Sequence, residues 1–248
     1  MENMYKTPKM LAGEESDLCP GCMQGIAIRI IYELIEEVEI ENFQILPLGV
    51  DCPEYAMGWG GITFQKPAYG AGSMSAGMKR INPDKIIIIY QGDGSANSAG
   101  ISDTVHTANR GDSVTVISIN NTCAEAQKPS FSAPNFSAFS GGFQNMQPPN
   151  LNAFSAMASP GMKTAEIIAA LPNPAFVARV SVHNPKEIIK AKNTIKKGLE
   201  KQIDNAGYSF IEILCPCHKS LDIDIEQIPH YMESNAVKEY PLGVLKSK

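Results

Sequence analysis

Two short segments of this chain carry the residue types of a metal-assisted diphosphate site. Gly92-Asp93-Gly94 and Asn120-Asn121 are separated by 25 residues. A carboxylate and a side-chain amide both offer hard oxygen. That is the donor magnesium takes in an octahedral shell completed by water and phosphate. The two glycines leave room for a phosphate to approach backbone N–H groups, Ser95 adds a hydroxyl, and a helix start beyond the turn favours an anion. Taken singly, Gly-Asp-Gly and Asn-Asn are the residues of ordinary surface turns. Their conjunction is more specific, because each directly follows a strand-like apolar run and the two lie one crossover apart.

A second constellation is sulfur. The chain has six cysteines, at 19, 22, 52, 123, 215 and 217. Cys19-Pro20-Gly21-Cys22 places two thiolates one tight turn apart, and Cys52 and the pair Cys215 and Cys217 follow strand-like runs. If those strands are parallel neighbours, three separated segments deliver sulfur to one sheet edge. Four thiolates around one point suit a [4Fe–4S] cluster or a structural zinc. A lone Cys-x-x-Cys also reads as a redox dithiol.

The elements that must position these groups follow from hydrophobic periodicity. Apolar residues at 26, 30, 31, 34, 35 and 38 predict a helix over Met23 to Val38. Gln44 to Leu48 reads as a short strand and Ser73 to Ile81 as a helix ending near Pro83. Ile86 to Tyr90 is a β-branched run of the kind buried on both faces of a parallel sheet. A helix over Ala99 to Asn109 and a strand over Val114 to Ile119 complete a βαβ unit. The carboxyl ends of its two strands share one edge, which brings Asp93 close to Asn121.

From Thr122 to about Gly161 periodicity disappears, and a loop rich in Ser, Asn, Pro and Gly carries Phe131, Phe136, Phe139, Phe143 and Phe154. Such a loop reads as a docking surface. A helix over Lys163 to Leu171, a strand over Phe176 to Val182, a helix from Pro185 to about Ile203 and a strand over Tyr208 to Leu214 follow. From about residue 219 the chain reads as a charged tail. Strands alternating with helices predict one α/β domain spanning 1–248, with a mainly parallel sheet and helices on both faces.

Composition bounds the rest. A net charge of −5 argues against nucleic-acid and anionic-membrane partners, and 44% hydrophobic with 19% charged residues describes a globular chain. The longest apolar run is too short to span a bilayer. Met1 to Lys9 has no apolar core of a secretion signal, so a cytoplasmic location and reduced thiols are expected.

The motifs resemble a known family. Gly92-Asp93-Gly94 followed by Asn120-Asn121 is similar to the thiamine diphosphate motif. That resemblance implies magnesium ligands at Asp93, Asn121 and the carbonyl of Cys123. Five further segments resemble the β subunit of 2-oxoacid:ferredoxin oxidoreductases. They are Cys19-Pro20-Gly21-Cys22, Tyr90-Gln91 before the glycines, the helix segment His106 to Gly111, Ala178-Arg179-Val180-Ser181-Val182-His183 and Tyr240-Pro241-Leu242-Gly243-Val244. Among its branches the chain is most similar to the 3-methyl-2-oxobutanoate (2-ketoisovalerate) type. The resemblance implies a thiamine-diphosphate-binding fold and a [4Fe–4S] cluster on Cys19, Cys22, Cys52 and Cys217, with Cys215 the lesser choice for the last.

It also implies a reaction. A 2-oxoacid is oxidatively decarboxylated, electrons pass to ferredoxin, and coenzyme A leaves as an acyl thioester. The activating glutamate comes from an α subunit, and γ and ferredoxin-like δ subunits are further partners. No catalytic acid or base is therefore visible in this chain. His218, beside Cys217, is placed to tune a cluster by hydrogen bonding.

Several segments depart from the family pattern. Met23-Gln24-Gly25 follows the cysteine pair in place of Gly-His-Gly. Tyr69-Gly70-Ala71-Gly72 replaces a His-Gly-Arg segment, and Thr122-Cys123-Ala124-Glu125-Ala126-Gln127 replaces a Tyr-Gly-Met-Thr-Gly-Gly-Gln stretch. An altered 2-oxoacid or electron acceptor accounts for these changes. So does a divergent, non-catalytic cofactor-binding or assembly subunit. A non-oxidative thiamine decarboxylase leaves the cysteines without a role.

Overall fold

The computed structural model describes residues 7–11, 18–48, 70–93, 97, 100–122 and 162–248. Gly94, Ser95, Cys52, Cys123 and the phenylalanine-rich loop lie outside the described residues.

The β-branched runs form the strands they predict. The sheet has six strands in the order β1-β2-β3-β5-β4-β6. They are β1 (Phe43–Leu48), β2 (Ile86–Gly92), β3 (Thr115–Asn120), β4 (Phe176–Ser181), β5 (Ser209–Leu214) and β6 (Gly243–Ser247). The first five pair in parallel, so their carboxyl ends share one edge, and β6 joins β4 antiparallel. Every residue of β2, β3, β4 and β5 is buried, the condition under which continuous apolar strands are stable.

Helices α1 (Gln24–Glu37) and α5 (Pro185–Ile203) cover one face, and α2 (Ala71–Ile81), α3 (Ile101–Arg110) and α4 (Thr164–Ala170) cover the other. The division follows from handedness. Connections from β1 to β2 and from β2 to β3 advance across the sheet, while β4 returns inward to β5. A right-handed crossover then requires α5 on the opposite side from α2 and α3. Ligands in open α/β sheets sit at the carboxyl edge where that reversal occurs, and here β3 and β5 are neighbours at it.

Two elements differ from the sequence expectation. Helix α2 begins at Ala71 rather than Ser73, because the Asp103 carboxylate of α3 accepts from the backbone N–H of Gly72 at 2.7 Å and of Ser73 at 3.0 Å. That carboxylate satisfies the donors of a helix start from 31 residues away, beyond any local signal. Gly72 permits the close approach, since a Cβ there would fall 2.7 Å from Asp103 Oδ2.

The segment read as a charged tail is folded. A run of 3₁₀, α and π turns over 225–239 buries Ile228, Met232, Ala236 and Tyr240, and β6 pairs with β4. That stripe repeats strictly every four residues, slower than an α-helix turns. The π turn at Met232–Ala236 restores the register, which an α-helical template does not detect.

Candidate metal and diphosphate site

Strand β2 ends at Gly92 and β3 at Asn120, and the crossover brings their following residues into contact. Asp93 Oδ2 accepts from the backbone N–H of Asn121 at 2.9 Å. The aspartate and the second asparagine thus stand together at the carboxyl edge, as their spacing predicts.

The turn after β3 is held on every side. Asn120, 5% exposed, donates from Nδ2 to Glu212 Oε1 at 2.9 Å and accepts at Oδ1 from the Thr122 N–H at 2.8 Å. Its side chain is therefore committed inward, and Asn120 supports the turn instead of offering its amide to a ligand. Thr122 lies at φ +53°, a region a β-branched residue enters only at a cost of about 1–3 kcal/mol, and such strain concentrates at functional sites. The Thr122 carbonyl accepts from the Tyr231 hydroxyl at 3.3 Å. Two buried polar atoms nearby, Gln91 Nε2 and Thr122 Oγ1, have no hydrogen-bond partner among the described residues. Unsatisfied buried groups beside a strained turn are the features of a surface made to meet a polar ligand. Hard-oxygen donors at Asp93 and Asn121, with those two atoms alongside, fit magnesium and a diphosphate.

The cysteines reach the same edge from two directions. Cys19 and Cys22 close a turn in which the Cys22 N–H donates to the Cys19 carbonyl at 3.0 Å. Pro20 and a left-handed Gly21 (φ +77°) satisfy the two central positions of a type II turn. Cys215 and Cys217 follow β5, and their backbone N–H groups donate to the Asn120 carbonyl at 2.8 Å and the Asn121 carbonyl at 3.3 Å. Sulfur segment and asparagine turn are thus one hydrogen-bonded unit. Burial pushes the Cys22 thiol up, and the nearby Cys19 and Cys217 add to that. Burial raises the Cys215 thiol strongly, with Cys22 and Asp93 acting in the same direction.

Cys19, Cys22 and Cys217 are therefore grouped, but among the described residues no three His, Cys, Asp or Glu side chains close on a single metal position. The expected adjacency of β1 and β5 is not realised, since β2 and β3 stand between them. Cys52, which follows β1, starts from a strand three places away from the one that delivers Cys217.

Sequence reasoning missed a buried charge network behind this turn. Arg179 (β4), 1% exposed, donates from Nε to Glu212 Oε2 (β5) at 2.5 Å and from its terminal nitrogens to Glu166 (α4). Burial alone pulls the Arg179 guanidinium down, but the two carboxylates prevail and hold it above its usual range. Burial pushes the Glu212 carboxyl up, against the pull of Arg179 and Asn120. The signal was present, a single charge of opposite sign inside each of two apolar strands, Phe176 to Ser181 and Phe210 to Leu214.

Among the histidines, His183 is neutral-leaning. Burial lowers it, Asn184 Nδ2 sits 2.9 Å from its Nε2, and Ser181 Oγ is 2.7 Å from its Nδ1. Because Asn184 Oδ1 accepts from the Glu187 N–H, its amide donates to His183, and the ring proton falls on Nδ1. His106 and His230 are exposed, and His218 opens the single helical turn after Cys217.

Residues 68–213 match the family described as thiamine pyrophosphate enzyme, C-terminal TPP binding domain, and the chain belongs to it. It is 30% identical over 235 residues to the ketoisovalerate oxidoreductase subunit VorA of Methanothermobacter marburgensis, covering 90% of this chain and 46% of that protein. It is 28% identical over 202 residues to the 2-oxoglutarate synthase subunit KorB of Methanothermobacter thermautotrophicus, covering 80% of this chain and 64% of that one. The chain spans about half the length of the ketoisovalerate relatives it matches. In fold it is similar to a chain of the 2-oxoglutarate:ferredoxin oxidoreductase from Magnetococcus marinus, at a TM-score of 0.64 and 17% identity, covering 100% of this chain and 86% of that chain. Among the described residues no helix is long and apolar enough to cross a membrane.

Proposed function

We infer that this chain is the thiamine diphosphate-binding subunit of a 2-oxoacid:ferredoxin oxidoreductase. The observation that carries this reading is the contact of Asp93 with Asn121 at the end of a βαβ unit. Asp93, Asn121 and the Cys123 carbonyl would hold magnesium, and Gly92, Gly94 and Ser95 the diphosphate. Cys19, Cys22, Cys52 and Cys217 would hold a [4Fe–4S] cluster. Bound thiamine diphosphate supplies the carbon nucleophile and electron sink that decarboxylate a 2-oxoacid.

This chain's own part is positional. Asp93 fixes the Asn121 backbone, Asn120 fixes Thr122, and the buried strands keep both turns at one edge. The substrate class is a 2-oxoacid, with branched-chain acids first given the ketoisovalerate relatives, and coenzyme A is the acyl acceptor. Ferredoxin takes the electrons in the cytoplasm. An α subunit completes the enzyme, with γ and δ subunits as further members of the complex.

The test uses the full chain purified anaerobically. Expected are about four iron and four sulfide per chain, together with magnesium-dependent thiamine diphosphate binding by calorimetry that Asp93→Ala abolishes. A colourless protein carrying one zinc overturns the cluster assignment, and undiminished binding by Asp93→Ala overturns the site.

A second reading, a cofactor-binding or assembly subunit without turnover, is favoured by the replaced stretch Thr122 to Gln127. Co-expression with an α subunit and an acyl-coenzyme A assay separates the two. Turnover on any 2-oxoacid eliminates the second, and its absence on all of them favours it.

A further inference from the structure

Four residues form a lateral row across the sheet one level below the asparagine turn. The strand register aligns Gln91 with Ser118, Ser118 with Glu212, and Glu212 with Arg179. All four are buried. Arg179, at one end of this row, is gripped from outside the sheet. The Tyr240 ring lies 5.4 Å from its guanidinium carbon, and the Pro241 carbonyl accepts from it at 3.2 Å. Two sequence segments without a role in the site, Ala178 to His183 and Tyr240 to Val244, therefore converge on one side chain.

We propose that Arg179 and Glu212 are positioning residues for the turn Asn120 to Thr122, acting through the Asn120 amide. This rests on the reading of that turn as the metal and diphosphate site. The argument is one of donors and acceptors. The Glu212 carboxylate has two oxygens, so it accepts from Arg179 at one and from Asn120 Nδ2 at the other. Because it can only accept, Asn120 must present Nδ2 to it, and Oδ1 is left facing the Thr122 N–H. The strained Thr122 backbone is thereby held by an orientation that a buried ion pair dictates from the neighbouring strands.

Glu212→Gln removes this constraint. Arg179 takes the one amide oxygen, and the introduced NH₂ then faces Asn120. The Asn120 amide turns over, and the Thr122 N–H loses its acceptor. Asn120→Asp reverses the defect, since a carboxylate there accepts both from that NH₂ and from the Thr122 N–H.

The experiment measures amide hydrogen exchange at Thr122 in the full chain, then thiamine diphosphate binding with magnesium. Glu212→Gln is expected to quicken Thr122 exchange and to raise the Kd, each by about tenfold, the worth of one hydrogen bond. Asn120→Asp combined with Glu212→Gln is expected to bring exchange back within about threefold of wild type. Glu166→Gln touches only the outer side of Arg179. It lowers the melting temperature and leaves the Kd within about twofold, separating positioning from general destabilisation.

Wild-type exchange in a folded Glu212→Gln variant overturns the proposal, as does a wild-type Kd in that variant. If a single variant does not fold, the double variant decides, because it satisfies every hydrogen bond. Its failure to fold or to protect Thr122 overturns the proposal. A wild-type chain that binds no thiamine diphosphate overturns the site assignment instead, and the exchange measurements still decide whether the clamp exists.

Discussion

On the side of the sheet covered by α1 and α5, side chains are apolar up to the carboxyl ends of the strands, and the polar Thr115 and Ser209 near their amino ends bond to α5. Ile88 and Tyr90, Ile117 and Ile119, Ile211 and Ile213, and Ala178 and Val180 all join one cluster. On the other side the same strands begin apolar, with Ile87, Ile89, Val116, Phe210 and Val177. They then turn polar toward the carboxyl edge, at Gln91, Ser118, Asn120, Glu212, Arg179 and Ser181, all buried. One face is thus built for burial, the dominant favourable term in folding. The other gives up apolar area for a polar network that fixes geometry, as buried ionic groups do when they specify one arrangement.

The largest expected effect tests the polar side. Arg179→Met strands Glu212 as a buried carboxylate, and urea unfolding should record a loss of about 3–5 kcal/mol. Replacing both partners, as Arg179→Met with Glu212→Leu, should recover most of that loss. It should still weaken thiamine diphosphate binding, because Asn120 no longer has its acceptor. Full binding by that double variant would break the distinction between the faces.

On the apolar side, Gly198→Ala places a Cβ 2.6 Å from Ile211 Cδ1. The clash with the end of the Ile211 side chain is offset by about 1 kcal/mol of helix propensity gained over glycine, so denaturant titration should record a net change of under about 2 kcal/mol, with cofactor affinity unchanged.

A smaller effect is expected from pH. Burial would raise the Glu166 carboxyl, but hydrogen bonds from Arg179 and its charge prevail and lower it below its ordinary value. Its contribution is present above the ordinary carboxylate pKa and is lost as pH falls through the depressed folded value. Unfolding measured across acid pH should therefore lose stability more steeply in wild type than in Glu166→Gln.

The smallest effect should come from Lys192, which bridges α5 to Glu33 and Glu37 of α1 at the surface. Lys192→Met should change stability by under about 1 kcal/mol, an amount that salt screens.

Much of the site was legible because its signals are local. The crossover length placed Asp93 beside Asn121, and the tight turn at Cys19 to Cys22 followed from Pro20 and Gly21. The role of Asn120 was not legible, because its partner Glu212 lies 92 residues away. The fold of the last thirty residues was missed because charged residues interrupt a stripe only one side chain wide, Ile228 to Tyr240.

Sequence by itself determined the five parallel strands and the helical crossovers between them, since these depend on local apolar runs, the 3.6-residue period and handedness. Only the tertiary structure decided that β5 inserts between β3 and β4. Strand order is chosen by packing across the whole sheet, and no local period encodes it. That one choice sets Glu212 between Asn120 and Arg179, joining a turn legible in the sequence to an ion pair that is not.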